Sequence, residues 1–212
     1  MKDSLAALVG ALLITHGTLA LAASAVDLSV KGAITPSACT PSLSEGGVVD
    51  YGKISVKDLR PTGATELPKF IFELKVDCEA QALFAIKTHD NRPERPQAVH
   101  PSMYGLGVIN GDELVGAYFL DMANILADGA SVDSLKSLDN GLTWDLLEPG
   151  APWPPSTFTG FGNRSSGVLA PIPMQNLALD VIVWPAISPV DWLTLIDTVP
   201  LDGSATLELR YL

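Results

Sequence analysis

Cys39 and Cys78 are the only two cysteines in the sequence, and their thiols could form a disulfide, bind a metal or act as a reactive pair. Neither has a neighbouring Cys or His at the spacing of a metal site, and nothing near them favours a reactive thiol. The N-terminal segment described below predicts an oxidising compartment, where an even pair of cysteines is expected to join. We therefore predict a disulfide between Cys39 and Cys78.

Residues suited to catalysis are scarce in this chain. After the N-terminal segment, the histidines are His89 and His100, each next to loop-forming residues, and no nucleophile-elbow motif occurs. The many carboxylates show no pairing that would support acid–base chemistry. We predict that the protein is not an enzyme and has no cofactor or metal.

One local motif has the residues of a known turn. The residues Ser137, Asp139, Gly141, Thr143 and Trp144 fit the pattern S-x-D-x-G-x-T-W, the aspartate box of sialidases and other β-propellers. Propellers carry such a hairpin in several blades, whereas this chain has it once. The motif therefore predicts an isolated turn that is held by its own side chains.

Tryptophan rings stack well on sugars, so the chain's four tryptophans are candidates for a glycan-binding face. The candidate ligand-binding residues are Trp144 and Trp153, which lie in the loop-rich middle of the chain. The alternative is packing in the core or at an edge, which is the more common role of tryptophan in a β-sandwich.

Composition limits the fold and the partners. The formal net charge of -11 leaves no cationic surface for phosphates, which excludes nucleic-acid binding. With 47% hydrophobic and 17% charged residues the chain is too apolar for disorder. Its 18 glycines and 16 prolines interrupt long helices and favour a turn-rich, all-β architecture.

The N-terminus has the layout of a secretory signal peptide. A short charged start precedes the apolar residues 5–14 and 19–23, with cleavage expected near Ala22 or Ala25. An uncleaved membrane anchor is disfavoured, because residues 15–17 interrupt the apolar run. We predict a signal peptide over residues 1–25 and one domain over 26–212.

Period-two alternation of apolar and polar residues predicts antiparallel strands along this domain. Asn110 and Gly111 predict a tight hairpin turn. Residues 148–155 contain four prolines and predict a loop, and residues 103–189 form an enlarged middle region. The predicted extended segments are 26–34, 48–52, 70–78, 84–86, 114–120, 177–183 and 205–211.

The two ends of this domain carry a set of short motifs, namely Val30-Lys31-Gly32, Ile34, Cys39, Val48-Val49-Asp50-Tyr51-Gly52, Gly203 to Leu207 and the penultimate Tyr211. In these residues the chain resembles the subunits of chaperone-usher pili of Gram-negative bacteria. The segments GDELVGAYFL, SLDNGLTW and LDGSATLELRYL are similar to a fimbrial-type family of unknown function that is associated with chaperone and usher genes.

The resemblance implies an immunoglobulin-like β-sandwich that lacks its last strand and has a groove in its place. In pilus subunits, a periplasmic chaperone fills that groove first, and a neighbouring subunit's strand fills it after assembly at an outer-membrane usher. By this resemblance, the residues expected to face the groove and contact the added strand are Leu28, Val30, Ile34, Leu207, Leu209 and Tyr211. The implied location is the cell surface, reached through the periplasm.

The sequence leaves three assembly modes open, because cleavage at Ala25 would leave almost no donor segment before Val26. The segment 26–34 could itself be the donor, the subunit could accept a strand without giving one, or the domain could be self-completed. A tip adhesin or carbohydrate-binding protein of the same fold is the alternative function.

Overall fold

The computed structural model describes Ser29, Lys31 and residues 38–94, 100–164 and 167–212. These residues form strands, turns and three short 3₁₀-helices, and contain no α-helix. All of these elements lie in the compact unit Thr35–Leu212. The predicted signal peptide, both cleavage sites and most of the segment 26–34, including Leu28, Val30 and Ile34, lie outside the described residues.

The described residues contribute fourteen strands, which confirms the all-β prediction. The strands are β1 (Cys39–Leu43), β2 (Thr65–Glu66), β3 (Phe70–Ala82), β4 (Phe84–Asp90), β5 (Tyr104–Gly105), β6 (Val108–Ile109), β7 (Glu113–Leu114), β8 (Gly116–Ala127), β9 (Ala130–Ser131), β10 (Asp133–Ser137), β11 (Asp145–Leu146), β12 (Phe158–Gly162), β13 (Met174–Ile187) and β14 (Ala205–Tyr211). The 3₁₀-helices cover Ser44–Gly47, Val56–Asp58 and Val190–Trp192.

The strands form two main antiparallel sheets. The first sheet has the order β1-β3-β13-β8-β5, with β2 paired to β13 and β9 paired to β8. The second sheet has the order β11-β10-β12-β4-β14, and β6 pairs with β7 in a separate hairpin. Apolar side chains from both main sheets form one hydrophobic core, as in a β-sandwich.

The strand order is that of an immunoglobulin-like sandwich. Such domains place strands A, B, E and D in one sheet and C, F and G in the other. When the strands are lettered along the chain, β1, β3, β4, β8, β13 and β14 correspond to A, B, C, D, E and F. The first sheet then has the order A-B-E-D, and C pairs with F in the second sheet. The described residues contribute no strand G beside β14, and the additional strands β10 to β12 extend the second sheet beyond β4.

Strand β3 shows how the sequence specifies this arrangement. From Phe72 to Cys78 every second side chain is buried, and the residues between them are exposed. A shift of one residue would turn this apolar face to water, so the register is strongly specified. The predicted strand 70–78 is confirmed, and it continues to Ala82.

The predicted hairpin turn is also confirmed. Asn110, Gly111 and Asp112 connect β6 to β7, and the first two have φ values of 52° and 101°. Such positive φ values are typical of Asn and Gly in tight hairpin loops. Within the described part of the chain, no helix has the length and apolarity needed to cross a membrane.

Candidate functional site: an apolar groove beside β14

An apolar groove lies between the two sheets, along the inner face of β14. Its floor includes Phe72, Leu120, Val181 and Val183 from the first sheet. One wall is formed by residues in and after β1, namely Leu43, Val49 and Tyr51, and the other by Ala205 and Leu207 of β14. We call this cavity the β14 groove.

The size and chemistry of the β14 groove suit side chains better than a cofactor. Its volume of about 250 Å³ is below the range of about 300 to 1,000 Å³ that is typical of small-molecule sites. None of the described residues that line it carries a charge. An occupant would therefore have to present an uncharged, largely apolar face.

The inner face of β14 is less well covered than that of its neighbour. Leu209 lies opposite Ile86 and Leu207 lies opposite Thr88 across the β4–β14 ladder. Ile86 and Thr88 are 2% and 0% exposed, whereas Leu207 and Leu209 are only half-buried. Burial decreases at β14 because no described strand follows it on its outer side.

The C-terminal end of β14 is fastened to the start of β1. The backbone N–H of Cys39 donates a hydrogen bond to the hydroxyl of Tyr211 at 3.0 Å. Cys39 is also joined to Cys78 of β3, which confirms the predicted disulfide. The structure thus brings Tyr211 and the disulfide together, whereas the predicted groove residues Leu28, Val30 and Ile34 lie outside the described residues.

The two tryptophans proposed for ligand binding do not form an exposed face. Trp153 is 0% exposed, and its indole N–H donates to Thr159 Oγ1 at 2.7 Å. Its ring is therefore part of the core and offers no exposed surface to a ligand. Trp144 is half-buried and donates to the carbonyl oxygen of Gly141 at 3.1 Å.

The aspartate-box motif forms the self-contained turn that its residues predict. Asp139 accepts hydrogen bonds from the Thr143 hydroxyl at 2.6 Å, the Thr143 backbone N–H at 2.9 Å and the Ser137 hydroxyl at 2.7 Å. These bonds, led by that of the Thr143 side chain, lower the pKa of Asp139 to about 2. Both carboxylate oxygens of Asp139 are therefore engaged in hydrogen bonds within the turn.

The histidines have structural partners. His89 Nε2 lies 3.1 Å from a Glu208 carboxylate oxygen on the neighbouring strand. His100 Nδ1 accepts the backbone N–H of Ser102 at 3.2 Å. In the described ranges no group of three or more His, Cys, Asp and Glu is placed to hold a metal ion.

Comparison with known proteins supplies a family. Residues 28–136 match the family described as Protein of unknown function (DUF1120), and this segment spans more than half of the 212 residues. The chain belongs to this family. The match includes β1, β3 and β8, which contribute Leu43, Phe72, Tyr118 and Leu120 to the lining of the β14 groove.

This DUF1120 member also has relatives among curated proteins. It is 25% identical over 228 residues to "Protein GltF" of Escherichia coli K12, covering 88% of this chain and 88% of GltF. It is 28% identical over 135 residues to "Uncharacterized protein YhcF" of the same organism, covering 53% of this chain and 57% of YhcF.

Sequence reasoning missed the floor of the β14 groove. Tyr118, Leu120, Val181 and Val183 line it. Their alternation with outward-facing residues marks them as inward-facing. Sequence alone gives no strand order, and therefore cannot show which inward-facing residues of the family member lie next to β14.

Proposed function

We propose that this DUF1120 member is an exported structural subunit of a chaperone-usher type pilus and that its β14 groove accepts a strand from another chain. The observation that carries the proposal is the half-covered inner face of β14. It lies where the next strand of an immunoglobulin-like sandwich belongs.

Backbone geometry supports strand addition at this edge. Among the described residues β14 forms its ladder with β4 alone. A strand laid along the other side of β14 could use its backbone N–H and C=O groups, while alternate side chains enter the groove. Strand addition therefore suits both the edge and the apolar cavity.

The energetic effect of such a strand would be large. Burying about five apolar side chains at roughly 1.5 to 3 kcal/mol each contributes on the order of 10 kcal/mol. This is similar to the net stability of a whole domain, about 5 to 15 kcal/mol. Occupation of the groove could thus decide whether the subunit persists as a folded protein.

The proposed partners are a periplasmic pilus chaperone, an outer-membrane usher and neighbouring pilus subunits. The chaperone would fill the groove before assembly, and a neighbouring subunit would fill it in the fibre. The adhesin alternative is not favoured, because Trp153 is fully buried.

Capture by a co-expressed pilus chaperone tests the proposal. Leu207→Asp places a charge on the inner face of β14, and Thr206→Asp places the same charge on its exposed outer face. Asn91 donates to Thr206 Oγ1 at 3.0 Å and could donate equally to a carboxylate, so the second variant is a matched control.

We expect the chaperone to retain Thr206→Asp and to lose Leu207→Asp in affinity purification from the periplasm. Both variants should still be exported and oxidised, which the mass of the Cys39–Cys78 form checks. Retention of oxidised Leu207→Asp at the level of the unmodified protein would contradict the proposal.

A further inference from the structure

Tyr118 is a residue of the β14 groove whose hydroxyl has no hydrogen-bond partner among the described residues. Its side chain lines the groove and is 6% exposed. Its ring stacks on that of Tyr104 with a centroid distance of 5.2 Å. The Tyr104 hydroxyl donates to the carbonyl oxygen of Trp153 at 3.1 Å, whereas the Tyr118 hydroxyl makes no hydrogen bond with any described residue.

The Tyr118 hydroxyl must therefore keep contact with solvent. In the part of the chain that the structure describes, every fully buried side-chain oxygen or nitrogen has a hydrogen-bond partner. A hydroxyl without a partner is thus not fully buried, and the β14 groove is the cavity that this side chain lines. An occupant that fills the groove would remove the contact between this hydroxyl and solvent.

The hydroxyl is neutral and can both donate and accept. Burial raises the pKa of Tyr118 above its ordinary value, and nearby Asp90 and Tyr104 raise it further. Since none of the described residues that line the groove is charged, another neutral hydrogen-bonding group matches this neutral hydroxyl. A buried hydroxyl left without a partner is unfavourable.

Tyr118 lies where one end of an added strand would pass. A Cβ at Gly203 would lie 3.1 Å from Tyr118 Cε1, so the chain just before Ala205 passes over this ring. Inward side chains of a strand repeat about every 6 to 7 Å. A strand that covers Leu209, Leu207 and Ala205 therefore places its next inward side chain beside Tyr118.

We propose that the Tyr118 hydroxyl sets the sequence specificity of the β14 groove. The accepted strand carries apolar side chains opposite Leu207 and Leu209 and one neutral hydrogen-bonding side chain, that of Ser, Thr, Asn or Gln, opposite Tyr118. This inference rests on the proposed function, because it describes the strand that the groove accepts.

A strand with a hydrogen-bonding side chain opposite Tyr118 would come from a different protein. The alternating segment at the start of the predicted mature chain has no hydrogen-bonding side chain on its apolar face, which carries Val26, Leu28, Val30, Gly32 and Ile34. Its other face carries Asp27 and Lys31, whose charges do not suit an uncharged groove. The groove should therefore select against this segment of a second copy of the chain.

Competition with short peptides tests the specificity. The probe is a fluorescent nine-residue peptide with valine at its five inward positions and soluble polar residues between them. Unlabelled competitors replace one inward valine at a time by threonine, which has the same shape and adds a hydroxyl. The target is the full protein purified from the periplasm after export.

We expect threonine at one terminal inward position to strengthen binding about tenfold relative to valine. At the other inward positions threonine should weaken binding. Tyr118→Phe should abolish the gain and leave the all-valine peptide bound.

The outcomes separate the two proposals. The specificity inference fails, and the proposed function stands, in either of two cases. In the first, the all-valine peptide binds but threonine strengthens binding at no inward position. In the second, the stronger binding of a threonine peptide persists in Tyr118→Phe. If neither the all-valine peptide nor any threonine peptide binds, the groove does not accept a strand and both proposals fail.

Discussion

The hydroxyl of Tyr211, the penultimate residue, accepts the backbone N–H of Cys39 at 3.0 Å across 172 positions of sequence. Because Cys39 is also bonded to Cys78, one contact fastens the last strand to the first described strand and its disulfide. The two strands that provide walls of the β14 groove are thereby joined at one end.

Tyr211→Phe should destabilise the protein by about 1 kcal/mol, because it removes the acceptor of the Cys39 N–H and keeps the ring. Denaturant unfolding of the oxidised protein measures this change. A midpoint equal to that of the unmodified protein would show that this hydrogen bond does not hold the two strands together.

Reduction of the disulfide should destabilise the protein more than Tyr211→Phe does. The bond between Cys39 and Cys78 closes a separation of 39 residues, and the chain-entropy model gives about 4 kcal/mol for a loop of that size. Unfolding with and without reductant tests this, since the chain has no other cysteine. Equal stability in both conditions would contradict the prediction.

Acidification should weaken the aspartate-box turn. The pKa of Asp139 is about 2 in the folded protein, against about 3.9 for an unperturbed Asp. A lowered pKa stabilises the fold above the unfolded value, and this contribution is lost as the pH falls from about 4 to about 2.

The variant Asp139→Asn isolates this effect, because it removes the titrating group and keeps the turn's shape. Acid unfolding monitored by circular dichroism should show a flatter loss of stability between pH 4 and pH 2 than in the unmodified protein. Asp145→Asn, at an exposed position of the same hairpin, is the control. Identical acid profiles for the Asp139 variant and the unmodified protein would be inconsistent with the prediction.

Gly105→Ala should be severely destabilising. A Cβ at Gly105 would lie within 2.4 Å of the backbone oxygens of Arg92 and Glu94, which cannot move like the end of a flexible side chain. We expect a loss of about 3 kcal/mol or more, at the upper end of overpacking effects.

Gly150→Ala separates this steric effect from that of backbone conformation. Gly150 has a φ of 77° with no atom near the added Cβ, so alanine there should cost only about 1 kcal/mol. Unfolding free energies of the two variants provide the comparison. A smaller loss at Gly105 than at Gly150 would contradict the account.

Local pattern predicted much of the fold. The alternation in 70–78 and 205–211 and the Asn110–Gly111 turn needed no tertiary information, because period-two burial and positive φ are properties of short segments. The aspartate-box hydrogen bonds likewise connect residues within seven positions of one another.

The burial of Trp153 could not be predicted in the same way. It lies in a proline-rich segment that was expected to be a loop, and that segment indeed forms no strand. The backbone N–H of Trp153 nevertheless donates to the Leu120 carbonyl oxygen at 2.7 Å, which anchors the loop to β8 and places the ring in the core. Such a contact depends on the packing of distant strands.

Amide hydrogen exchange of β14 tests most directly whether the β14 groove accepts a strand. The purified protein would be compared alone and in complex with a co-expressed pilus chaperone, with β13 as the internal reference because it is paired on both sides. We expect the β14 amides that point away from β4 to exchange rapidly in the protein alone and to become protected in the complex, while β13 stays protected in both. Equal protection of β14 in the protein alone and in the complex would contradict the account, because the strand's edge would gain no partner from the chaperone.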